Sequence, residues 1–236
     1  MMDIQKIPYP FNPNITYPAY LTRNRLLLKL RALAPQLKGR LLDFGCGSKP
    51  YKSLFSVDEY IGLDFENPGH PHLNEQIDVF YNGKDIPFKD GHFDAVFSSE
   101  VFEHIFNLED ILKELNRVLK NGGHLLISCP FSICEHEVPN DFARYSSYSI
   151  KYLLEKNGFE VVEQHKTGNS IETIAQLHLS YINQHLMLYI RKIPVFRSVF
   201  RLLCFTSINM FSIVLGRILP AGMDLYLNNV VLCRKK

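Results

Sequence analysis

Apolar positions along this chain follow two alternating periods. From Leu21 to Leu37 they recur at helical spacing, with Arg23, Arg25, Lys29 and Arg31 between them, which predicts a helix packed on a sheet. Short apolar runs bounded by turn residues then predict strands near 40–44, 60–64, 76–80, 93–98, 123–129 and 159–164. Helical patterns intervene near 49–56, 107–120 and 146–157. Asn107 stands where it can cap Leu108–Lys120, with Asp110 reaching back from the third position, and Asn121-Gly122-Gly123 is expected to end that helix. Strands and helices in alternation build a mostly parallel sheet covered on both faces, an α/β fold. Pro8, Pro10, Pro13 and Pro18 exclude a regular helix at the start and predict an extended arm over residues 1–20.

The rhythm breaks after Glu172. Residues 173–222 are rich in Leu, Ile, Phe and Met and precede Leu225–Cys233, which reads as a seventh and last strand. The longest charge-free run of this insert, Leu202 to Gly216, has fifteen residues. A membrane span needs roughly twenty, so no transmembrane helix is expected, and residues 1–236 read as a single domain.

The most telling polar pattern closes the first strand. Leu41-Leu42-Asp43 runs into Phe44-Gly45-Cys46-Gly47-Ser48, where two glycines let the backbone turn sharply at the carboxyl edge of a buried strand. Open α/β sheets bind ligands at that edge. The loop lacks the third glycine of a dinucleotide fingerprint and the G-K-[ST] of a P-loop, which suits a nucleoside cofactor without phosphates. The second strand ends in another carboxylate, Asp64, placed to hold ribose hydroxyls.

The blocks LLDFGCGSKPY, YIGLDFE, DIPFKDGHFDAVFSSEVFEHI and LEDILKELNRVLKNGGHLLISCPF together resemble class I S-adenosylmethionine-dependent methyltransferases over roughly residues 40–131. The resemblance implies a Rossmann-like, doubly wound, seven-stranded sheet, with the helical insert placed before the last strand. It also implies S-adenosyl-L-methionine as cofactor, with Asp43, Gly45, Cys46 and Gly47 against its methionine part and Asp64 on the ribose. Phe65 would flank the adenine, Asn82 stands where the family often has an Asp near the adenine amino group, and Ser98 ends the fourth strand within the site.

A second constellation, His136-Glu137-Val138-Pro139-Asn140-Asp141-Phe142-Ala143-Arg144-Tyr145, follows the fifth strand and reaches the same edge by topology. His136 can act as a base toward an acceptor hydroxyl, and Arg144 can pair with Asp141 or with an anionic substrate group. The plainer reading is a loop-fixing ion pair beside an exposed histidine. His104, after the fourth strand, faces the same edge, where the family often has a histidine. The loop resembles methyltransferases encoded with bacterial surface-glycan enzymes, which implies a sugar or lipid-linked sugar acceptor. A lipophilic quinone-like acceptor and a non-catalytic cofactor-binding partner stand as alternatives.

Charge changes this picture in one place. From Leu186 onward eight arginines and lysines, Arg191, Lys192, Arg197, Arg201, Arg217, Arg234, Lys235 and Lys236, face Asp224 alone, although the whole chain is only +2. A basic apolar segment over 186–220 reads either as an interfacial helix on an anionic membrane or as a cap buried in the core or in a homodimer. The acidic remainder speaks against a nucleic-acid substrate. Five cysteines without regular spacing, and no basic-then-apolar leader, point to a reducing, cytoplasmic setting, and the interfacial reading of 186–220 would put the chain at the inner face of the membrane. No Cys or His pair has metal-site spacing, so no metal is expected.

Overall fold

A computed structural model describes residues 3–65, 75–190, 192–220 and 222–236. In chain order the main elements are α1 (Tyr20–Leu33), β1 (Arg40–Phe44), β2 (Glu59–Phe65), β3 (Val79–Tyr81), β4 (Phe93–Ser99), α2 (Leu108–Val118), β5 (Leu119–Pro130), α3 (Ser147–Lys156), β6 (Phe159–Thr167), α4 (Ser170–Tyr181), α5 (Pro194–Ile218) and β7 (Asn228–Lys235). The strands form one seven-stranded sheet in the order β3-β2-β1-β4-β5-β7-β6. The first five are parallel, and β7 runs antiparallel to both β5 and β6. Strand order reverses between β1 and β4, and the crevice at such a switch point is where open α/β sheets take ligands.

Both faces of the sheet are covered, as continuous apolar strands require. One face packs Leu42, Phe44, Val96 and Ile127 against Ile111, Leu112 and Leu115 of α2 and Ile150 and Leu154 of α3. The other packs Leu41, Ala95, Phe97 and Leu126 against Leu26, Leu27, Leu30 and Leu33 of α1. A third cluster joins Leu21 of α1 to Leu179, Phe205 and Leu227. There α1 is tied to α4 by the Arg25 guanidinium on the buried carboxylate of Glu172, with Nε at 3.1 and 3.0 Å from its two oxygens.

Several local expectations are corrected. The helix expected near 49–56 is a single 3-10 turn, Lys52–Leu54, because Lys49 adopts φ +54° and the short connection must bury Tyr51 and Leu54. The side chain of Asn107 does not cap α2. Its backbone carbonyl takes the N–H groups of Asp110 (3.0 Å) and Ile111 (3.3 Å), while Asp110 pairs with Lys113. Helix α2 stops at Val118 because Leu119 already pairs with Phe93, so Gly122 and Gly123 lie inside an irregular start of β5. The N-terminal arm is a series of turns, not an extended strand. Asn14 Oδ1 caps one of them through Thr16 N (3.1 Å), Ile7 is buried, and Asn209 of α5 donates to the carbonyls of Ile15 (2.7 Å) and Tyr17 (3.2 Å).

The insert holds α4, a π-helical turn Ile182–Leu186, a short helical stretch Met187–Tyr189, and α5; Arg191 and Ala221 lie outside the described residues. Helix α5 runs for 25 residues and is long and apolar enough to cross a membrane by length and composition alone. The fifteen-residue charge-free run understates the length of this helix, which carries Arg197 and Arg201 near one end and Arg217 at the other. Only Phe205, Asn209 and Ser212 are buried, all on the face toward the rest of the chain.

Candidate active site

The glycine loop leaves β1 at its carboxyl edge and is shaped by close packing. Gly45 adopts φ +71°, and its N–H donates to Leu63 O of the neighbouring strand at 2.8 Å. A Cβ there would lie 2.4 and 2.6 Å from the two methyls of Val101, so only glycine passes. Gly47, at φ +44°, donates its N–H to Asp64 Oδ2 at 2.7 Å. Asp43 is buried beneath the loop, and its carboxyl accepts the Tyr60 hydroxyl. Burial pushes the Asp43 carboxyl up to about 7 against the pull of that hydrogen bond. Burial likewise pushes the Cys46 thiol up, so Cys46 is no nucleophile.

Asp64 closes β2, with its second oxygen accepting Phe65 N at 2.7 Å. The Phe65 ring lies on Gly83, where a Cβ would meet it at 2.7 Å, and edge-on to Tyr81, leaving 40% of the residue exposed as an apolar platform. Asn82 is drawn into its own turn. Its Oδ1 accepts Lys84 N (2.9 Å) and Asp85 N (2.8 Å) and its Nδ2 donates to Asp85 Oδ2 at 3.4 Å, so at most one amide N–H is left for a base edge. Ser98 is fully buried near the end of β4, and its hydroxyl has no partner among the described residues.

The histidines converge. Val101, which touches Gly45, is followed at once by the turn Phe102–His104, so His104 stands beside the glycine loop. The loop after β5 folds over this turn, with Phe142 N and Ala143 N donating to Glu103 O at 2.8 and 3.2 Å. The rings of His104 and His136 meet edge to face at 4.8 Å. His104 Nδ1 lies 2.7 Å from Asn140 O, and His136 Nδ1 lies 3.2 Å from Cys134 O. A carbonyl only accepts, so in the tautomer that bonds these carbonyls both Nδ1 atoms carry protons and both Nε2 atoms present lone pairs when the rings are neutral, while Arg144 Nη2, 3.5 Å from His136 Nδ1, favours the other tautomer of that ring. Those Nε2 atoms sit 3.7 and 3.9 Å from Glu103 Oε1. Burial, then the neighbouring His104, pulls the His136 imidazole below its ordinary pKa, so it is neutral at physiological pH.

Asp141 and Arg144 are spent on each other. The guanidinium makes a two-pronged pair with the carboxylate at 2.6 and 2.7 Å and adds bonds to Ala143 O (2.8 Å) and Cys134 O (3.2 Å). Asp141 Oδ2 also accepts His136 N at 3.0 Å. Arg144 holds the Asp141 carboxyl well below the usual range. The pair positions the loop and His136; it is the loop-fixing arrangement of the plainer reading.

Two acidic residues of this edge escaped the sequence reading. Glu103 is fully buried, neither of its carboxyl oxygens has a hydrogen-bond partner among the described residues, and burial next to Glu100 raises its pKa well above normal. Glu100 stands at φ +58°, its oxygens held by Ser128 Oγ (2.9 Å) and Asn228 Nδ2 (2.8 Å). Their spacing, two glutamates three apart just after β4, was the available signal. Lys49 was missed as well: it pairs with Asp78 at 2.6 Å across Gly62, where any Cβ would strike it.

The family described as "Methyltransferase domain" matches residues 18–164. A probable S-adenosylmethionine-dependent methyltransferase of Mycolicibacterium smegmatis is 30% identical over 142 residues, which is 55% of this chain and 55% of that protein. A ubiquinone/menaquinone biosynthesis C-methyltransferase of Shewanella is 36% identical over 104 residues, 44% of this chain and 39% of that protein. The chain thus spans about half the length of such curated relatives, or less. A putative sarcosine dimethylglycine methyltransferase from Galdieria sulphuraria has the same fold, with a TM-score of 0.56 at 19% identity over 97% of this chain and 91% of that one. So does phosphoethanolamine N-methyltransferase 2 of Haemonchus contortus in complex with S-adenosyl-L-methionine, with a TM-score of 0.53 at 19% identity over 90% of this chain and 52% of that one. With the glycine loop, the acidic end of β2 and the reversed β7 in place, the chain belongs to the class I S-adenosylmethionine-dependent methyltransferases.

Proposed function

We propose that the chain transfers a methyl group from S-adenosylmethionine to a hydroxyl of a small-molecule or glycan acceptor, with a sugar or lipid-linked sugar as the preferred class. The paired Nε2 lone pairs of His104 and His136 beside the glycine loop carry this reading, since a hydroxyl acceptor must lose a proton. The residues present fit the donor. Among the described residues a Cβ on Gly47 would meet only Glu75 Oε1, at 3.8 Å, and the buried Ser98 hydroxyl lacks a partner. Asp64 would hold the ribose hydroxyls, Phe65 the adenine face, and the Asp43–Gly47 loop the methionine part. When bound, the donor supplies an electrophilic methyl on a sulfonium.

On the acceptor side, neutral His136 takes the hydroxyl proton at Nε2 as the carbon–oxygen bond forms and the carbon–sulfur bond breaks. Asp141 and Arg144 hold its ring in place, which is what an in-line displacement demands of the groups around it. Helix α5 supports an amphiphilic acceptor. It exposes Val195, Phe196, Leu203, Phe211 and Ile218 alongside Arg197 and Arg217, and it is anchored to the rest of the chain along one side. Such a helix suits the inner face of an anionic cytoplasmic membrane, lying on it and not across it.

Methyl transfer from labelled donor into a lipid-linked glycan extract tests the acceptor class. Transfer that survives His136→Ala and lands on carbon favours instead a quinone-like acceptor, the reading supported by the Shewanella relative. Flotation with anionic liposomes at low salt tests α5, and a protein that stays with the soluble fraction refutes membrane contact. A homodimer through the same face would then show as a doubled mass in solution.

A further inference from the structure

We infer that Glu103, His104 and His136 form a binding site for one first-row divalent transition ion, of the Mn, Fe, Co or Zn class. One ligand atom from each residue lies within 4.8 Å of the others. The Glu103 Oε1–Nε2 separations of 3.7 and 3.9 Å are too long for hydrogen bonds. They are close to the ~3.4 Å between two ligands at tetrahedral angles on an ion held at about 2.0–2.2 Å.

The second observation is Glu103 itself. It is fully buried, it points at both imidazoles, and neither oxygen has a hydrogen-bond partner among the described residues. A buried carboxyl without a partner is costly and calls for an unseen one. A cation supplies it.

The outer shell is that of a metal site as well. Ligating histidines characteristically donate their other ring N–H to a carbonyl or carboxylate, which fixes the tautomer and aims the lone pair. Here Nδ1 of His104 faces Asn140 O and Nδ1 of His136 faces Cys134 O, leaving both Nε2 atoms turned inward. Glu137, exposed on the same loop, brings Oε2 to 3.8 Å from His104 Nε2 and could close a fourth position. The neighbouring cation, Arg144, is neutralised by Asp141, and the Glu100 carboxyl is held apart by Ser128 and Asn228. Two imidazoles and one carboxylate select transition ions over Mg²⁺ or Ca²⁺, which prefer all-oxygen shells.

Binding of the ion stands on this donor set alone; its part in catalysis rests on the hydroxyl-acceptor reading above. With an ion seated, the His136 lone pair is given to the metal. The acceptor oxygen would take a position not filled by protein ligands and lose its proton to water, and the resulting alkoxide would take the donor methyl as the carbon–sulfur bond breaks and S-adenosylhomocysteine leaves.

The test is titration of chelator-treated protein with Co²⁺, followed by its visible absorption and by calorimetry, with Zn²⁺ and Mn²⁺ in parallel. One equivalent is expected to bind. Loss of a group behind a ligand costs about 10–100-fold in affinity, so His136→Ala and Glu103→Gln should each weaken binding by at least about tenfold. His178→Ala, an exposed histidine on α4, should leave it unchanged. His136 is partly exposed on a loop, so its variant should fold even where Glu103→Gln does not. Absence of binding by all three ions, or binding indifferent to His136→Ala, overturns the inference. The readouts stay separate. Methyl transfer unaffected by chelator, with no ion bound, leaves the methyltransferase reading standing. An ion bound at this site with no transfer to any hydroxyl acceptor overturns the acceptor reading and not the site.

Discussion

Replacing Gly45 with alanine isolates the constraint that shapes the donor loop. Two costs combine. A residue with a Cβ held at a left-handed φ loses about 1–2 kcal/mol. The added carbon would also lie 2.4 and 2.6 Å from the Val101 methyls. Val101 is β-branched and stiff at χ1, and forcing such an overlap costs about 1–3 kcal/mol. Urea denaturation should therefore show Gly45→Ala destabilised by about 2–5 kcal/mol.

The two costs separate in a second background. In Val101→Ala the clashing methyls are gone and the nearest remaining atom is Cβ, at 3.1 Å, so only the backbone cost persists. The double-mutant cycle should then return a rescue of about 1–3 kcal/mol, against the ~0.5 kcal/mol or less expected of independent sites. A single-mutant cost below about 1 kcal/mol, or strictly additive costs, would refute the packing argument. Calorimetry with S-adenosylhomocysteine adds a functional readout, since a loop displaced by the clash should regain affinity together with stability.

Three further outcomes follow from the same edge. Asp64→Ala should weaken S-adenosylmethionine binding by about 1–3 kcal/mol through lost charged hydrogen bonds; unchanged affinity by calorimetry would exclude the ribose role. Asp141→Asn should cost about 2–4 kcal/mol by breaking a half-buried charge pair and should lower turnover more than cofactor affinity. Because Arg144 depresses the Asp141 carboxyl, that contribution is present above the unfolded pKa of about 4 and disappears as pH falls through the native value. The gap between wild type and variant should therefore shrink below about pH 4, and a gap constant down to acid pH contradicts the pairing. Asp43 behaves oppositely: with its native pKa raised to about 7, the stability it lends is full near pH 4 and lost as pH rises toward 7. Asp43→Asn should flatten that decline, on the order of 3 kcal/mol, in denaturation curves across the window.

The strand–helix rhythm was legible because buried parallel strands are written as continuous apolar runs; seven strands form as expected, but β3 is confined to Val79–Tyr81 where a strand was expected near 76–80, and β7 begins at Asn228, not Leu225. What was not legible depended on partners far along the chain. Asn107 has the right chemistry for a cap, yet its backbone supplies the bond instead. The prolines of the arm exclude helix but do not say that Asn209 of α5 will gather the turns. Counting charge-free residues understated α5, because arginines near a helix end reach outward and do not interrupt it.

Glu103 shows the same limit at the site itself. In sequence it is one acid in a mixed polar and apolar stretch, and a glutamate after a strand is usually solvated. Its burial is imposed by Phe142 and Ala143, whose N–H groups dock the distant loop onto the Glu103 carbonyl and carry His136 with them. His104 was legible from its neighbours and His136 from its loop, but their convergence on one unpartnered carboxyl is a property of the fold alone. A short local spacing rule finds metal sites whose ligands share one helix or hairpin. It passes over one assembled from two loops that meet only when β4 and β5 lie side by side.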